Sequence, residues 1–457
     1  MRNLFQQLII FLCCISFSAQ AQDSLQINSL AASFLKQTKL PGLSLAVAKG
    51  GNVIYAKGFG FYNVEDNRPM LPSTRIRTAS VAKVLTATAL GRLATEGLID
   101  FDTPIKNYIP YINDTYANLT VRQLAGHTSG LKHRPSKGGH QNRQYNTIRE
   151  TLEIIDAPLL FEPGTDYKYS SAAFNILAAV IEGASGMLYA DYMQTQVFEP
   201  LNIKQTSPEN INELTDMDAA IYLLKNGKLK RDKPTNDSYK IPGASFRSTP
   251  SDLVKLMNAY TGQGFISKEV VKDMFTSNRL PNGEMTQVGI AWRSSFDIFG
   301  NRVIEHAGSW LGARTVLVYY PDKDLSISLM VNAQCPLLIE ETAHIFAQFF
   351  INENQDIPKV PLNKEVQVLY NSKKGQKKHL GNIFLDDGQG ILSTDIKGYL
   401  ASNSVIQLKN GFVLCTMYGL FFMEMDANIE GNVYAYYTMN KRNPIEEEPL
   451  LELSALD

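Results

Sequence analysis

The chain has 457 residues, 44% of them hydrophobic and 19% charged, a length past which one core stops growing, so two or more structural units are expected. That balance excludes a disordered chain. The formal net charge of −1 gives no electrostatic footprint for nucleic acid. The run Lys228-Leu229-Lys230-Arg231-Asp232-Lys233 reads as a solvated loop in a polar stretch.

At the start of the chain, Arg2, the apolar stretch Leu8 to Phe17 and Ala19-Gln20-Ala21 fit a signal peptide over 1–21, cleaved before Gln22. The expectation is an exported protein, periplasmic or secreted, of bacterial and Gram-negative type. The apolar stretch is short for a bilayer span; an uncleaved anchor is the competing reading. No later segment is apolar enough for a transmembrane helix, so no stable membrane insertion is expected after cleavage. Cys13 and Cys14 leave with the signal, and Cys335 and Cys415 are expected as two buried free thiols, with no disulfide framework and no metal-type spacing.

Leu25 to Leu40 carries helical periodicity, ended by Pro41-Gly42. Two strand-like runs, Leu43–Ala48 and Val53–Phe59, flank Gly50-Gly51 as a β-hairpin. From about Thr78 to Tyr260 the pattern is mainly helical. Strand-like runs return at Gln287–Ser294, Arg302–His306, Ala313–Tyr320 and Leu325–Val331, before a closing helix over Pro336–Phe350. Strands at both ends of a helical stretch imply one sheet built from sequence-distant parts, with a second lobe and a cleft between. Past Ile357, Pro358 and Pro361 mark a linker. The alternating runs Phe412–Tyr418, Leu420–Met425 and Val433–Met439 then predict a small all-β domain. The expected organisation is a catalytic domain over 22–355, its helical lobe over roughly 85–260, and a β-rich domain over 356–457.

Ser80-Val81-Ala82-Lys83 begins an Ala- and Leu-rich helical run. Ser80 and Lys83 therefore lie one turn apart on one face. A serine hydroxyl needs an adjacent base to act as nucleophile, and apolar neighbours Val84 and Leu85 disfavour the charged lysine. The same spacing occurs in Ser33-Phe34-Leu35-Lys36; Ser80 is preferred because Lys83 lies in an otherwise apolar helix, where an unpaired ammonium is costly. Tyr169-Ser170-Ser171 follows the turn Glu162-Pro163-Gly164-Thr165 and precedes an apolar helix over Ala172–Gly183, with Ser170 or Ser171 as its cap. His306-Ala307-Gly308-Ser309 falls at the end of a predicted strand. Gly308 allows close approach of substrate, and the Ser80 and Ser309 N–H groups are candidate oxyanion donors. His306 could donate to Tyr169 or bind an anionic group, and Lys83 and His306 are the candidate cations that a phenol needs nearby to act as a base.

These elements, in order and spacing, resemble the class C β-lactamase and D,D-peptidase family, the penicillin-binding-protein-like serine hydrolases. The likeness covers roughly residues 25 to 352 and includes Arg122–Leu131, Pro163-Gly164-Thr165, Phe174–Leu177 and Asp237–Leu253. Within the family, Arg77-Thr-Ala-Ser80 and His306–Ala313 are similar to a branch that includes the mitochondrial serine β-lactamase-like protein. The resemblance implies an α/β (α+β) fold of β-lactamase/transpeptidase type, an antiparallel sheet flanked by helices beside a mainly helical lobe. It implies Ser80, Lys83 and Tyr169 as catalytic residues, with Ser171, His306, Gly308 and Ser309 around the substrate. Two departures, Ser171 where the β-lactamases usually have Asn and His-Ala-Gly where they have Lys-Thr-Gly, fit esterases and D-amino-acid peptidases or carboxypeptidases better than efficient β-lactamases.

No Gly-x-Ser-x-Gly, His-Glu-x-x-His or phosphate-binding Gly-rich loop is present. His127, His133 and His140 match no ligand pattern. No metal and no cofactor is expected. The expected partner is a small-molecule or peptide substrate, converted through an acyl-enzyme. A non-catalytic binding or assembly protein keeping the same fold is the reading from another class.

Overall fold

The computed structural model describes residues 26–134, 143–261 and 264–351, and then eight strands between Val366 and Ala455. The expected signal segment with Cys13 and Cys14, His140, and the linker prolines Pro358 and Pro361 lie outside the described residues. The chain divides into two compact units, one spanning Leu40–Glu340 and the other comprising residues before Leu40 and after Glu340.

In the first unit the N-terminal hairpin forms as predicted. Strands β1 (Gly42–Lys49) and β2 (Asn52–Asn63) are joined by Gly50 and Gly51, both at positive φ (57° and 78°), where glycine has no steric penalty. A short strand β3 (Arg68–Pro69) extends this edge. Late in the unit come β4 (Arg293–Phe296), β5 (Arg302–Trp310), β6 (Ala313–Tyr320) and β7 (Leu325–Val331). All neighbours pair antiparallel, in the order β3-β2-β1-β7-β6-β5-β4. The β1–β7 pair, with Leu43 opposite Val331 and Lys49 opposite Leu325, closes the sheet between sequence-distant halves. β1, β6 and β7 are buried nearly throughout, as strands covered on both faces must be.

Helix α1 covers residues 26–38, α2 Ala82–Thr95, α3 Ala173–Ser185, α4 Pro250–Leu256 and α5 Ile339–Ile351. Between residues 82 and 93, α2 exposes only Arg92 in part. Its side chains Val84, Leu85, Leu90 and Leu93 are fully or almost fully buried, each contributing about 1.5–3 kcal/mol. α3 runs past the predicted end at Gly183 to Gly186, which takes the left-handed position (φ 70°) that terminates helices.

Three sequence expectations are revised. The basic run expected as a loop is the outer strand Lys228–Asp232 of a hairpin with Ile221–Lys225. Asn226 and Gly227 sit at φ 52° and 69° in its turn, the two-residue geometry that antiparallel strands favour. Gln287–Ser294 is not a continuous strand: Gln287 and Ala291 have positive φ (58° and 67°), and regular pairing begins at Arg293. β5 continues to Trp310, so His306–Ser309 lies within a strand and not at its end.

In the second unit the eight strands after Val366 close into a barrel. Its hairpin Gly411–Thr416 with Gly419–Ile429 includes buried Phe412, Val413, Leu414, Cys415, Leu420 and Phe422. Thr342 on α5 accepts from the Leu420 backbone N–H at 3.3 Å, and Phe346 on α5 meets Phe34 of α1 edge to face. Cys335 and Cys415 are both free. Cys415 is buried, whereas Cys335 is only part-covered, short of the expected burial. Among the described residues, no single helix is long and apolar enough to cross a membrane.

Candidate active site

Ser80 sits on a 3₁₀ turn, Ala79–Val81, that leads directly into α2. The tighter turn keeps the three-residue spacing to Lys83 on one face. Ala79 has φ 46° and no exposure, a backbone state alanine rarely adopts. Burial holds that residue in place and turns Ser80 towards the cleft.

Lys83 is fully buried in the first turn of α2. Its Nζ donates to the Gly243 carbonyl at 2.6 Å and to Ser171 Oγ at 3.0 Å, and lies 3.4 Å from Ser80 Oγ. Desolvation pushes its pKa down to about 7. Nζ also lies 5.0 Å from the Tyr169 ring centroid and 5.2 Å from that of Phe174. A buried ammonium would be costly here; a neutral amine has two N–H donors, which serve Gly243 and Ser171, and one lone pair that accepts from the Ser80 hydroxyl.

Tyr169 reaches the same hydroxyl from the segment ahead of α3. The turn Glu162–Thr165 forms, with the Thr165 N–H donating to the Glu162 carbonyl and Gly164 at φ 88°. Ser170 caps α3 by accepting from the Ala173 N–H at 3.2 Å. Burial pushes the Tyr169 phenol up to about 12, while hydrogen bonds with Ser80 and Ser171 and the charge of Arg293 act in the opposite sense. His127 packs on the Tyr169 ring at 4.3 Å between centroids and His133 at 5.4 Å. The Ser170 N–H donates to His127 Nδ1, so that nitrogen is the unprotonated one. Desolvation holds His127 well below its ordinary pKa. These histidines are walls of the site, and no described cluster of His, Cys, Asp and Glu could hold a metal ion.

Strand β5 supplies the opposite wall. Its pairing with β4 ends at Glu305, which leaves 306–310 without β4 alongside. A Cβ on Gly308 would stand 2.7 Å from both the Ser80 nitrogen and the Thr78 carbonyl oxygen; only glycine lets the strand lie this close to Ser80. Ser309 is exposed and, with Ser80 and Ser171, lines the pocket beside the cleft.

His306 is not the cation expected beside Tyr169. It is buried, its Nδ1 lies 2.8 Å from the Ala307 carbonyl, and desolvation followed by the Arg293 charge keeps it well below its ordinary pKa. It is therefore neutral and cannot supply a cation to Tyr169. That cation is Arg293, which sequence reasoning missed; it is paired with Glu340 at 2.9 Å and lies 3.7 Å from Glu305. Sequence reasoning also missed the Gly243 carbonyl and the pocket residues His133, Arg134, Lys240 and Trp310. Asp237–Leu253 was singled out only as a likeness, and Lys240 and Gly243 were within it.

Three segments, 79–83, 169–171 and 306–309, thus converge on one hydroxyl. A family profile described as Beta-lactamase matches residues 27–346. The chain belongs to that family. It is a serine hydrolase of the β-lactamase/D,D-peptidase-like type, with the corresponding α+β fold. It is 26% identical over 370 residues to penicillin-binding protein 4* of Bacillus subtilis, covering 76% of this chain and 80% of the relative. To the human mitochondrial serine β-lactamase-like protein it is 26% identical over 381 residues, 62% of this chain and 69% of that one. Among solved structures, the octameric penicillin-binding protein homologue from Pyrococcus abyssi superposes with a TM-score of 0.61 at 20% identity. That match covers 94% of this chain and all of the other.

Proposed function

We propose that this chain hydrolyses esters or amides through an acyl-enzyme on Ser80, as an esterase or a D-amino-acid peptidase or carboxypeptidase with weak or no β-lactamase activity. The observation that carries this reading is Lys83, a buried amine with a pKa near 7 within reach of the Ser80 hydroxyl. An amine poised near neutrality is the base a serine nucleophile requires. The substrate carbonyl sits between the N–H groups of Ser80 and Ser309, which receive the developing oxyanion. Ser80 attacks, its proton passes to Lys83, and the protonated Tyr169 phenol relays a proton to the leaving group. Water then takes the place of the leaving group and Lys83 again serves as base. With its phenol pushed up to about 12, Tyr169 is a relay and not an independent base.

Neutral His306 in place of a lysine, and Ser171 in place of an amide side chain, favour esters or D-amino-acid substrates over β-lactams. The N-terminal residues Arg2 to Ala21 support export to the periplasm or medium, tested by sequencing the N-terminus of the mature protein. For the reaction, a panel of p-nitrophenyl esters, D-Ala-D-Ala peptides and nitrocefin distinguishes the substrate classes. Ser80→Ala should abolish labelling by a fluorophosphonate probe; labelling that persists places the nucleophile elsewhere.

A further inference from the structure

The cleft continues from Ser80 into a pocket whose lining includes His133, Arg134, Ser171, Asn175, Lys240 and Trp310. It holds a cation that acyl transfer does not use. Lys240 is 7% exposed; its Nζ lies 3.0 Å from the Trp310 ring centroid and 3.1 Å from Asp237 Oδ1, without alignment for a hydrogen bond. Asp237 Oδ1 likewise has no aligned hydrogen-bond partner among the described residues, and the other oxygen of Asp237 is engaged. Oδ2 accepts from Trp310 Nε1 at 2.7 Å and from Thr235 Oγ1 at 3.0 Å, with Arg77 at 3.5 Å.

Among the described residues, the ion-pair network to which Lys240 belongs does not balance. Arg75, Arg77, Arg247 and Lys240 face Glu209, Asp218 and Asp237, four cations against three carboxylates. A further cation, the exposed Arg134, lies over the same Trp310 ring at 5.1 Å. His133 Nδ1, also at the pocket, is buried with no hydrogen-bond partner among the described residues. Burial pushes Lys240 down to about 7, a penalty that a bound anion would reverse.

We propose that this pocket receives a carboxylate carried on the acyl part of the substrate, with Lys240 and Arg134 as the specificity-determining pair. The assignment to the acyl part rests on the acyl-transfer reading above. Tyr169, which returns the proton to the leaving group, neighbours His306, two residues before Gly308 on β5. Trp310 lies two residues beyond Gly308, so the pocket opens at the opposite end from the departing group. The excess positive charge and the unaligned ammonium supply the complement an anion needs.

The test compares mono-p-nitrophenyl adipate with p-nitrophenyl hexanoate, equal in chain length and differing in a terminal carboxylate, each corrected for spontaneous hydrolysis. The native protein should favour the adipate by about tenfold or more in kcat/KM, the effect of a charge-assisted contact. Lys240→Met and Arg134→Gln should each lower that ratio, and the double variant should bring it to about one. Arg134 is exposed, so its variant tests the idea even if Lys240→Met folds poorly. A native ratio of one or less, or a ratio unchanged in the double variant, overturns the proposal. Calorimetric titration of adipate into Ser80→Ala separates the two readings. Lys240-dependent binding without turnover of any ester sinks the acyl-transfer reading and keeps the anion pocket, whereas ester turnover without a charge preference does the reverse.

Discussion

The amine of Lys83 lies nearer the carbonyl oxygen of Gly243, at 2.6 Å, than the hydroxyl of Ser80, at 3.4 Å. A backbone oxygen therefore fixes the position of the group that would activate the nucleophile, and Ser171 supplies a second anchor at 3.0 Å. The amine is held in place before any substrate arrives, and it remains close enough to take a proton when one is released.

Lys83→Met should abolish ester turnover and yet stabilise the fold. The lysine pKa is lowered from 10.5 to about 7, so between those values the unfolded chain binds more protons and native stability rises with pH. The burial penalty is complete below about pH 7 and gone above about 10.5. Melting curves should show the variant ahead by a few degrees at pH 6, about 1–3 kcal/mol after the loss of the Gly243 and Ser171 contacts, with the gain shrinking towards pH 9. A variant that melts lower at pH 6 contradicts the assignment of a costly buried amine.

Acylation requires the deprotonated amine, so log kcat/KM should climb with pH at a slope near one below pH 7 and flatten above it. His133, pushed down to about 4, and His306, held well below its ordinary value, do not titrate in that window. Lys240 does; the same inflection should therefore persist in Lys240→Met with a neutral ester. Its disappearance there would assign the titration to the wrong lysine.

Tyr169→Phe removes only the phenol that bonds Ser80 and Ser171. The ring stays packed by His127 and His133, so the fold should be kept. The expected loss is about 10²–10⁴-fold in kcat, with KM changed little, as for removal of a proton-transfer group. Steady-state kinetics on a neutral ester decide it, and an equal loss confined to KM would make the residue a binding contact.

Gly308→Ala places a methyl against backbone atoms of Thr78 and Ser80, neither of which can swing aside. Turnover should fall about 100-fold or more through displacement of the oxyanion donors, with about 1–3 kcal/mol of stability lost to overpacking. Probe labelling of Ser80 and thermal melting separate the two effects.

Glu209→Gln tests the buried network. Its Oε1 accepts from both Arg77 at 2.8 Å and Arg247 at 2.7 Å, and all three side chains are almost wholly covered. Neutralising the shared carboxylate leaves two guanidiniums underpaired, at a cost on the order of 3–5 kcal/mol. Urea unfolding should show this as a drop in midpoint.

The meeting of Ser80, Lys83 and Tyr169 could be anticipated from the sequence because each is marked locally: an i,i+3 pair in an apolar run, and a tyrosine between a Pro-Gly turn and a helix start. The central strands of the sheet were legible for a similar reason, since β1, β6 and β7 are near-continuous apolar runs bounded by turn residues. What was not legible depends on space and not on neighbours in sequence. Arg293 influences Tyr169 from strand β4, far away in sequence, and no periodicity indicates that. His306 was taken for a possible cation because a lone histidine carries no sign of its burial. The hairpin at Asn226-Gly227 carried a turn signal, but its outer strand Lys228–Asp232 is so rich in charge that composition suggested a loop; exposed strands tolerate such charge. Lys240 was passed over because its importance comes from an imbalance summed over residues 75 to 247.

The contact from Gly243 has a consequence for how such enzymes diverge. A carbonyl oxygen is supplied by any amino acid, so drift in side-chain identity around residues 241–244 leaves the lysine anchor in place provided the loop keeps its path. Space is the stricter demand, because a methyl on Gly243 would sit 3.0 Å from the Ser171 carbonyl oxygen and 3.6 Å from the lysine nitrogen. Engineers who wish to retune the basicity of this centre could reshape that loop and leave the nucleophile, the amine and the phenol untouched.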